Sequence, residues 1–592
     1  MRPARGRKRK PAPERIPSAY AAEAGTLGVL LCWALVFADI GTSVYYTPGI
    51  LFQQFGAHSA LFVCLVFVVF VLLAVKYSEV AIRFPEGGGV VSVATKAFHP
   101  LVGLVGGLLI LADYFLTAGL SATSGVIYLS VLIDPLRPFI IAAAISALLL
   151  LGALNVVGIA TSAEITAFFA IAAAVTQLTV VVAVILAFGP ARIWADFGAV
   201  LAGPPLAPTG LMVGYAGAFL AFSGLESIAQ LAPAMKSPRT RVAPRTMFYV
   251  VLSLLVTSPL LTLWSTTLLA PGTNMNQAIS LLGGVAAGPM LQDAVAVSGA
   301  LLLIFACNTA MIGSYHVFLA LSRMRFLPTL LQRANRWRGT PHISIGVATL
   351  VPLLVVLITG ASTTFLGDLY AFGLLGAFSV TCLSLDVIRW REMHAPRPRK
   401  PAVRTSMPLF LVGGATSVAV AVAWVTNIVA KPLATVYGGV LVLAGVGIAL
   451  STIRTQSRSG QYAIFPYLHR PGHPTVVSGA SRGLKPAPVL AFLPSDPGKV
   501  ADVVRRTLTR APKGPIVFAF RGETPRTRTP GLLEILDPYA DDPTAQAAFQ
   551  QAESAARRSG IRARYVYIPA GADEDVDDWV REQLRPEEVI NG

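Results

Sequence analysis

The chain has 592 residues, of which 54% are hydrophobic and only 13% charged, and its mean hydropathy is +0.65. No water-soluble domain needs that much apolar sequence, so most of the protein is expected to lie in lipid. The net charge of +17 is read first as the positive-inside rule at work on cytoplasmic loops, and no nucleic-acid partner is expected.

Residues 1–26 form a basic head with Arg2, Arg5, Arg7, Lys8, Arg9 and Lys10. A long apolar span follows it, not a short apolar core with a cleavage site, so no cleavable signal peptide is read. The head is expected to lie against anionic membrane lipid as a cytoplasmic tail.

Apolar runs of spanning length then recur about twelve times. They lie near 27–51, 59–83, 101–132, 138–157, 163–188, 210–232, 246–270, 290–322, 342–360, 364–388, 408–429 and 433–453. The loops after the second, sixth, eighth and tenth spans are basic, whereas the opposite loops carry only Arg137, Arg192 and Lys431. That asymmetry places both termini in the cytoplasm.

The first span is interrupted by Phe37-Ala38-Asp39-Ile40-Gly41-Thr42-Ser43-Val44-Tyr45-Tyr46-Thr47-Pro48-Gly49. A carboxylate at mid-bilayer costs a few kcal/mol even on lenient scales. Irregular backbone at that depth is tolerated only where protein or a polar cavity covers it. The stretch therefore reads as a broken helix facing a binding site, the alternative being a kinked helix with a structurally paired Asp39.

In the third span Tyr114, Thr117 and Ser121 share one helix face. Their hydroxyls either bond a neighbouring backbone or supply oxygens to a ligand. Asp113, one residue off that face, is either a second ionisable site or the partner of an arginine. The sixth span repeats the oddity of the first, with Ser223-Gly224 at mid-span and Glu226 two residues later. Interrupted helices at corresponding places in two halves point to inverted repeats of five helices with a midplane site between them.

Other polar features leave alternatives open. The loop Arg83-Phe84-Pro85-Glu86-Gly87-Gly88-Gly89 lacks the Lys-Ser/Thr ending of a phosphate-binding loop and reads as a re-entrant connection or gate. Asn308-Thr309, Tyr315-His316 and Asp368-Leu369-Tyr370 are each either helix-helix contacts or ligand contacts. No Lys or Arg is read at mid-span in the core. Cys32, Cys64, Cys307 and Cys382 are far apart and show neither disulfide nor metal-ligand spacing. No enzyme chemistry and no resident cofactor are expected.

The composition changes near 486. Segments 488–493, 516–520 and 565–568 read as strands, and amphipathic stretches cover 498–510, 542–558 and 574–584. A cytoplasmic α/β domain over 486–592 follows, joined to the transmembrane domain 27–453 by a linker over 454–485. What this domain binds is not legible, and a homodimer stays open.

The loop 84–89, the stretch from Gly107 to Thr117 and the run from Gly224 to Ala229 resemble the amino acid–polyamine–organocation permease superfamily. That resemblance implies an all-α polytopic membrane protein with a LeuT-type 5+5 inverted repeat. The segment Asp39-Ile40-Gly41-Thr42-Ser43 with Tyr46 is similar to the first helix of Kup and KimA-type potassium importers. The resemblance implies a potassium and proton site at Asp39, Tyr46, Tyr114, Thr117, Ser121, Ser223 and Glu226, with Tyr370 as gate; Thr42 and Ser43 add neutral oxygens of the kind a dehydrated potassium ion takes. Ser223 stands where those importers tend to have Thr, which keeps a hydroxyl. Asp39, Asp113 and Glu226 are the candidates for proton coupling. The C-terminal domain resembles a universal-stress-protein fold without its Gly-rich nucleotide motif.

The expectation is a proton-coupled potassium importer of a bacterial-type inner membrane. A permease for amino acids or other organic solutes is the second reading. A membrane sensor signalling through the C-terminal domain is the third.

Overall fold

The computed structural model describes residues 26–458, except 85–86, 88, 159–162, 325, 336, 395–402 and 404. In the C-terminal part it describes 475–476, 487–510, 516–522, 543–561, 563–568, 580–582 and 584–590. The basic head, Glu86, most of the linker and most of the stretch 574–584 lie outside the described residues.

Eleven helical stretches are long and apolar enough to cross a membrane among the described residues. The first, Val29–Arg83, has 55 residues, far beyond the roughly 20 that one crossing needs. It folds back at residues 56–58 into two antiparallel spans, so the chain makes twelve. Span one is Val29–Ile40 followed by Ser43–Phe55, and span two is Ser59–Arg83. Span three is Pro100–Leu132, span four Ile140–Val157 and span five Ala163–Phe188. Span six is divided into Pro208–Gly217, a 3-10 turn Ala218–Phe222 and a short helix Ser227–Gln230. Spans seven to ten are Arg239–Thr267, Pro289–Arg323, His342–Thr359 and Thr363–Met393. Met407–Ala430 and Pro432–Arg458 complete the set.

The two interruptions differ in their chemistry. In span one the i−4 ladder gives way to i−3 bonds. Thr42 N donates to Asp39 O at 3.3 Å and Tyr45 N to Thr42 O at 3.0 Å. In span six the backbone turns extended at Ser223 and then left-handed at Gly224, with φ +97°. A side chain there would be strained, so glycine is what lets the chain reverse. The residues just before span one are tied to the segment just after span six: Leu27 N bonds Ala234 O and Lys236 N bonds Leu27 O, both at 2.9 Å. The broken helices, first and sixth, therefore lie side by side in one core.

Three further helices join the spans. Gly89–Ala97 follows the Gly-rich loop, Ala191–Leu201 precedes span six, and Ala278–Ala287 precedes span eight. Each is too short to cross a bilayer.

The absence of a mid-span cation in the sequence reading is corrected here. Lys76 in span two is 2% exposed, and Arg389, read as a loop residue, lies inside span ten at 0%. Lys76 bonds Asp386 at 2.8 Å, Ser417 at 2.7 Å and the Cys382 carbonyl at 3.2 Å. Arg389 holds both carboxylate oxygens of Glu79, and Arg83 bridges Glu79 and Glu392, each at 2.6 Å. A buried charge survives only when paired and hydrogen-bonded. Here three cations and three carboxylates neutralise one another between spans two and ten. Hydropathy alone does not show this, because the partners are more than 300 positions apart in sequence.

The C-terminal region forms a parallel five-stranded sheet, ordered β1-β4-β3-β2-β5. The strands are β1 (Thr475–Val476), β2 (Val489–Leu493), β3 (Ile516–Arg521), β4 (Ala563–Ile568) and β5 (Glu588–Ile590). β1 falls in the interval read as linker, and it pairs with β4. Side chains alternate between faces, as pleating requires. Phe518, Phe520, Tyr565 and Tyr567 pack on helices Pro497–Arg510 and Pro543–Arg558. Val517, Ala519, Val566 and Ile568 pack on Val580 and Leu584.

Candidate functional site

The two breaks meet. A β-carbon on Gly224 would lie 2.8 Å from Asp39 Cγ and 2.8 Å from Ile40 N, so only a bare backbone fits against the span-one carboxylate. Ser227, in the first turn after the span-six break, donates its hydroxyl to Asp39 Oδ2. Thr42 Oγ1 caps the Asp39 carbonyl at 2.5 Å. One turn on, Ser43 and Tyr46 bond each other at 3.0 Å.

Span three supplies the opposite wall. The Thr117 hydroxyl bonds the Asp113 carbonyl at 2.9 Å and the Tyr370 phenol at 2.8 Å. The same phenol bonds Ser223. Tyr370 thus joins spans three, six and ten at one point. The approach is close because Gly373, one turn along span ten, lies flat on the span-three backbone. A β-carbon there would stand 2.7 Å from Asp113 N.

Asp113 is fully buried, and neither of its carboxylate oxygens has a hydrogen bond of good geometry. Tyr370 and Glu226 stand beside it, and Asp39 is within electrostatic reach of both carboxylates. Among the described residues none of the three is ion-paired to Lys, Arg or His, since the buried cations are engaged elsewhere. Among the described residues no group of three or more His, Cys, Asp or Glu is arranged to hold a metal ion. The oxygens on offer are mostly hydroxyls, phenols and carbonyls.

The structure brings Asp39, Ser43, Tyr46, Asp113, Thr117, Ser223, Glu226 and Tyr370 into this one buried region. Thr42 is turned to its own helix, where it caps Asp39. Tyr114 borders the site, within electrostatic reach of Glu226, Asp113 and Asp39; its phenol accepts from Gln230, and its ring lies over Gly313. Ser121 is buried one turn beyond Thr117 without a hydrogen bond of good geometry.

Other residues around the site escaped the sequence reading. Ser227 and Gln230 follow the span-six break. Tyr77 of span two is buried within reach of Glu226 and Asp113. Gln177 of span five donates to the Gly41 carbonyl at 3.2 Å. Spacing from the two breaks signals Ser227 and Gln230. Nothing local marks Tyr77 or Gln177.

The remaining polar pairs act between helices. Asn155 donates to Asn308 at 2.7 Å, and Asp368 takes Lys431 at 2.7 Å and Gln54 at 2.8 Å. The four cysteines are free.

The potassium transporter KimA of Bacillus subtilis (strain 168) is 24% identical over 329 residues, 53% of this chain and 53% of that protein. The match therefore spans about half the length of that relative. Solved structures of mutant forms of a manganese transporter from Eremococcus coleocola superpose with a TM-score of 0.47 at 15% identity, covering 74% of this chain and 98% of theirs. The sequence model described as "Amino acid permease" matches residues 27–451, well over half of the chain. With its twelve apolar spans and its paired breaks at Gly41-Thr42 and Ser223-Gly224, the protein is a multi-pass membrane transporter that belongs to the amino acid permease family.

Proposed function

We propose that this permease imports potassium with protons, by alternating access, across a bacterial-type inner membrane, with both termini in the cytoplasm. One observation carries the reading. Asp39, Asp113 and Glu226 share a buried site with the oxygens of Ser43, Tyr46, Thr117, Ser223 and Tyr370, and among the described residues no Lys, Arg or His is ion-paired to them. A dehydrated potassium ion takes several neutral oxygens and tolerates a carboxylate. A carboxylate left over takes the proton that couples the cycle. The half-length similarity to a potassium transporter supports the same cargo. The basic loops on one side of the spans support the orientation.

A second reading, an amino-acid permease, is favoured by the description of the matching family. An amino acid would place its ammonium on the carboxylates and its own carboxylate on the amides freed at the breaks.

Growth of a potassium-uptake-deficient bacterium at limiting potassium separates the two. Rescue by the wild type, lost in Asp39→Asn at equal membrane abundance, is the expected result. Uptake of labelled amino acids without rescue would overturn the potassium reading in favour of the second.

A further inference from the structure

The Gly41 carbonyl has lost its helical partner. In a regular helix it would accept from Tyr45 N, four residues on. That amide bonds Thr42 O instead, at 3.0 Å. A carbonyl buried at this depth without a donor costs several kcal/mol. The donor it receives comes from another helix: Gln177 Nε2 in span five, at 3.2 Å. Gln177 is 0% exposed, a burial that an uncharged amide tolerates only when it is put to use.

We infer that Gln177 is the positioning residue that holds the span-one break in its ion-binding shape. The same side chain borders a second polar cluster. The Gln177 side chain also stands near the Tyr45 phenol, as do Thr176 and Ser298. Thr176 and Ser298 bond each other at 2.8 Å, tying span five to span eight. Tyr45 is held from two more sides. Its carbonyl accepts from Tyr128 at 2.8 Å, and its ring lies on Gly299, where a β-carbon would come within 2.7 Å.

The break is therefore suspended between two fixed points, Gln177 above the Gly41 carbonyl and Tyr128 at the Tyr45 carbonyl. Asp39 and Ser43 lie two residues to either side of Gly41. Any movement of span five relative to span one stretches the Gln177 bond and changes where those oxygens point. Gln177 does this through the backbone, without touching the ion. An amide is suited to the task because it donates without adding a charge that would compete with the cargo.

The test uses the purified full-length protein in lipid nanodiscs. Hydrogen exchange of the peptide covering 38–46 is compared between wild type, Gln177→Met, which keeps the length and removes the donor, and Gln177→Asn, which keeps the amide and shortens its reach. Losing one buried hydrogen bond is expected to speed local exchange by up to about tenfold in both variants. Thr179→Val is the control: that exposed hydroxyl of the same helix bonds only its own backbone, at Val175 O, and its exchange at 38–46 is expected to match wild type. Unchanged exchange at 38–46 in Gln177→Met would overturn the inference. So would a rise spread evenly over all spans, which makes Gln177 a general packing residue.

A transport arm reads the consequence for the site, and it alone rests on the potassium reading. KM for potassium is expected to rise by up to about tenfold in Gln177→Met with little change in maximal rate. Faster exchange with an unchanged KM would overturn the link to the ion site. If the wild type moves no potassium, the functional reading fails, and the exchange arm still decides the inference about Gln177.

Discussion

Gly224 and Asp39 touch across the two broken helices: a β-carbon on Gly224 would lie 2.8 Å from Asp39 Cγ. The contact couples a backbone requirement to a charge. Gly224 sits at φ +97°, where other residues are strained by about 1–3 kcal/mol. Gly224→Ala adds overpacking of similar size and pushes Asp39 off its place. Uptake is expected to be lost, with a lowered melting temperature. Wild-type uptake by this variant would show that the breaks need not meet.

Asp39 has one side-chain partner from span six, the Ser227 hydroxyl. Ser227→Ala is expected to weaken cation affinity by up to about tenfold while uptake persists. Asp39→Asn is expected to abolish uptake. Concentration-dependent potassium uptake at matched expression measures both. A Ser227→Ala protein as dead as Asp39→Asn would assign the hydroxyl a larger role than orienting the carboxylate.

Tyr370 joins Thr117 and Ser223 through one phenol. Tyr370→Phe keeps the ring and removes both bonds. The expected result is a raised KM, with the melting temperature within a few degrees of wild type, as one or two net hydrogen bonds allow. Thr117→Val should act on the same network, so the double variant should be less impaired than the two single effects added together. Full additivity would mean that the two residues act separately.

The Glu79–Arg389 pair is structural by placement, far along span ten from Tyr370. Glu79→Gln leaves buried Arg389 with only the longer Asp386 contact, at 3.3 Å, and is expected to destabilise by up to about 3–5 kcal/mol. Replacing both, as in Glu79→Gln with Arg389→Met, should recover part of that loss. Thermal unfolding in detergent tests it. A double variant worse than Glu79→Gln alone would mean that the Arg389 contact with Asp386 outweighs its pairing with Glu79.

In the sheet domain Phe518 is fully buried between β3 and the helices over it. Phe518→Ala is expected to cost about 3–5 kcal/mol of domain stability. Protease sensitivity over 487–590 should rise, and the melting of the membrane helices should stay unchanged. Equal protection of both proteins would contradict the domain's having a core of its own.

Much of the fold was legible because lipid imposes a crude rule. Ala163–Phe188 and Ser59–Arg83 are bounded where their apolar runs are bounded, since a helix in hydrocarbon ends where polar residues begin. The breaks at Gly41 and Gly224 were legible for the complementary reason. Polar residues with glycine at bilayer depth have few places to go. Lys76 and Arg389 were not legible in that way. A cation next to a span's end, such as Arg389, looks like a loop residue, and one inside a span, such as Lys76, is neutralised only by a partner remote in sequence: Asp386 and Glu79 lie 310 positions from Lys76 and Arg389 respectively.

By itself the sequence determined twelve spans, two interruptions five spans apart, three carboxylates at depth and a separate α/β domain. Each follows from local composition and from the cost of polar groups in lipid. Only the tertiary structure decided which of these meet. It set Gly224 against Asp39, turned Tyr114 toward Gln230, gathered Thr117, Ser223 and Tyr370 on one phenol, and brought Gln177 to an orphaned carbonyl. A hydrogen bond acts over about 3 Å, and the pairs that make this site come from helices far apart in the chain. Packing, not periodicity, is what selects them.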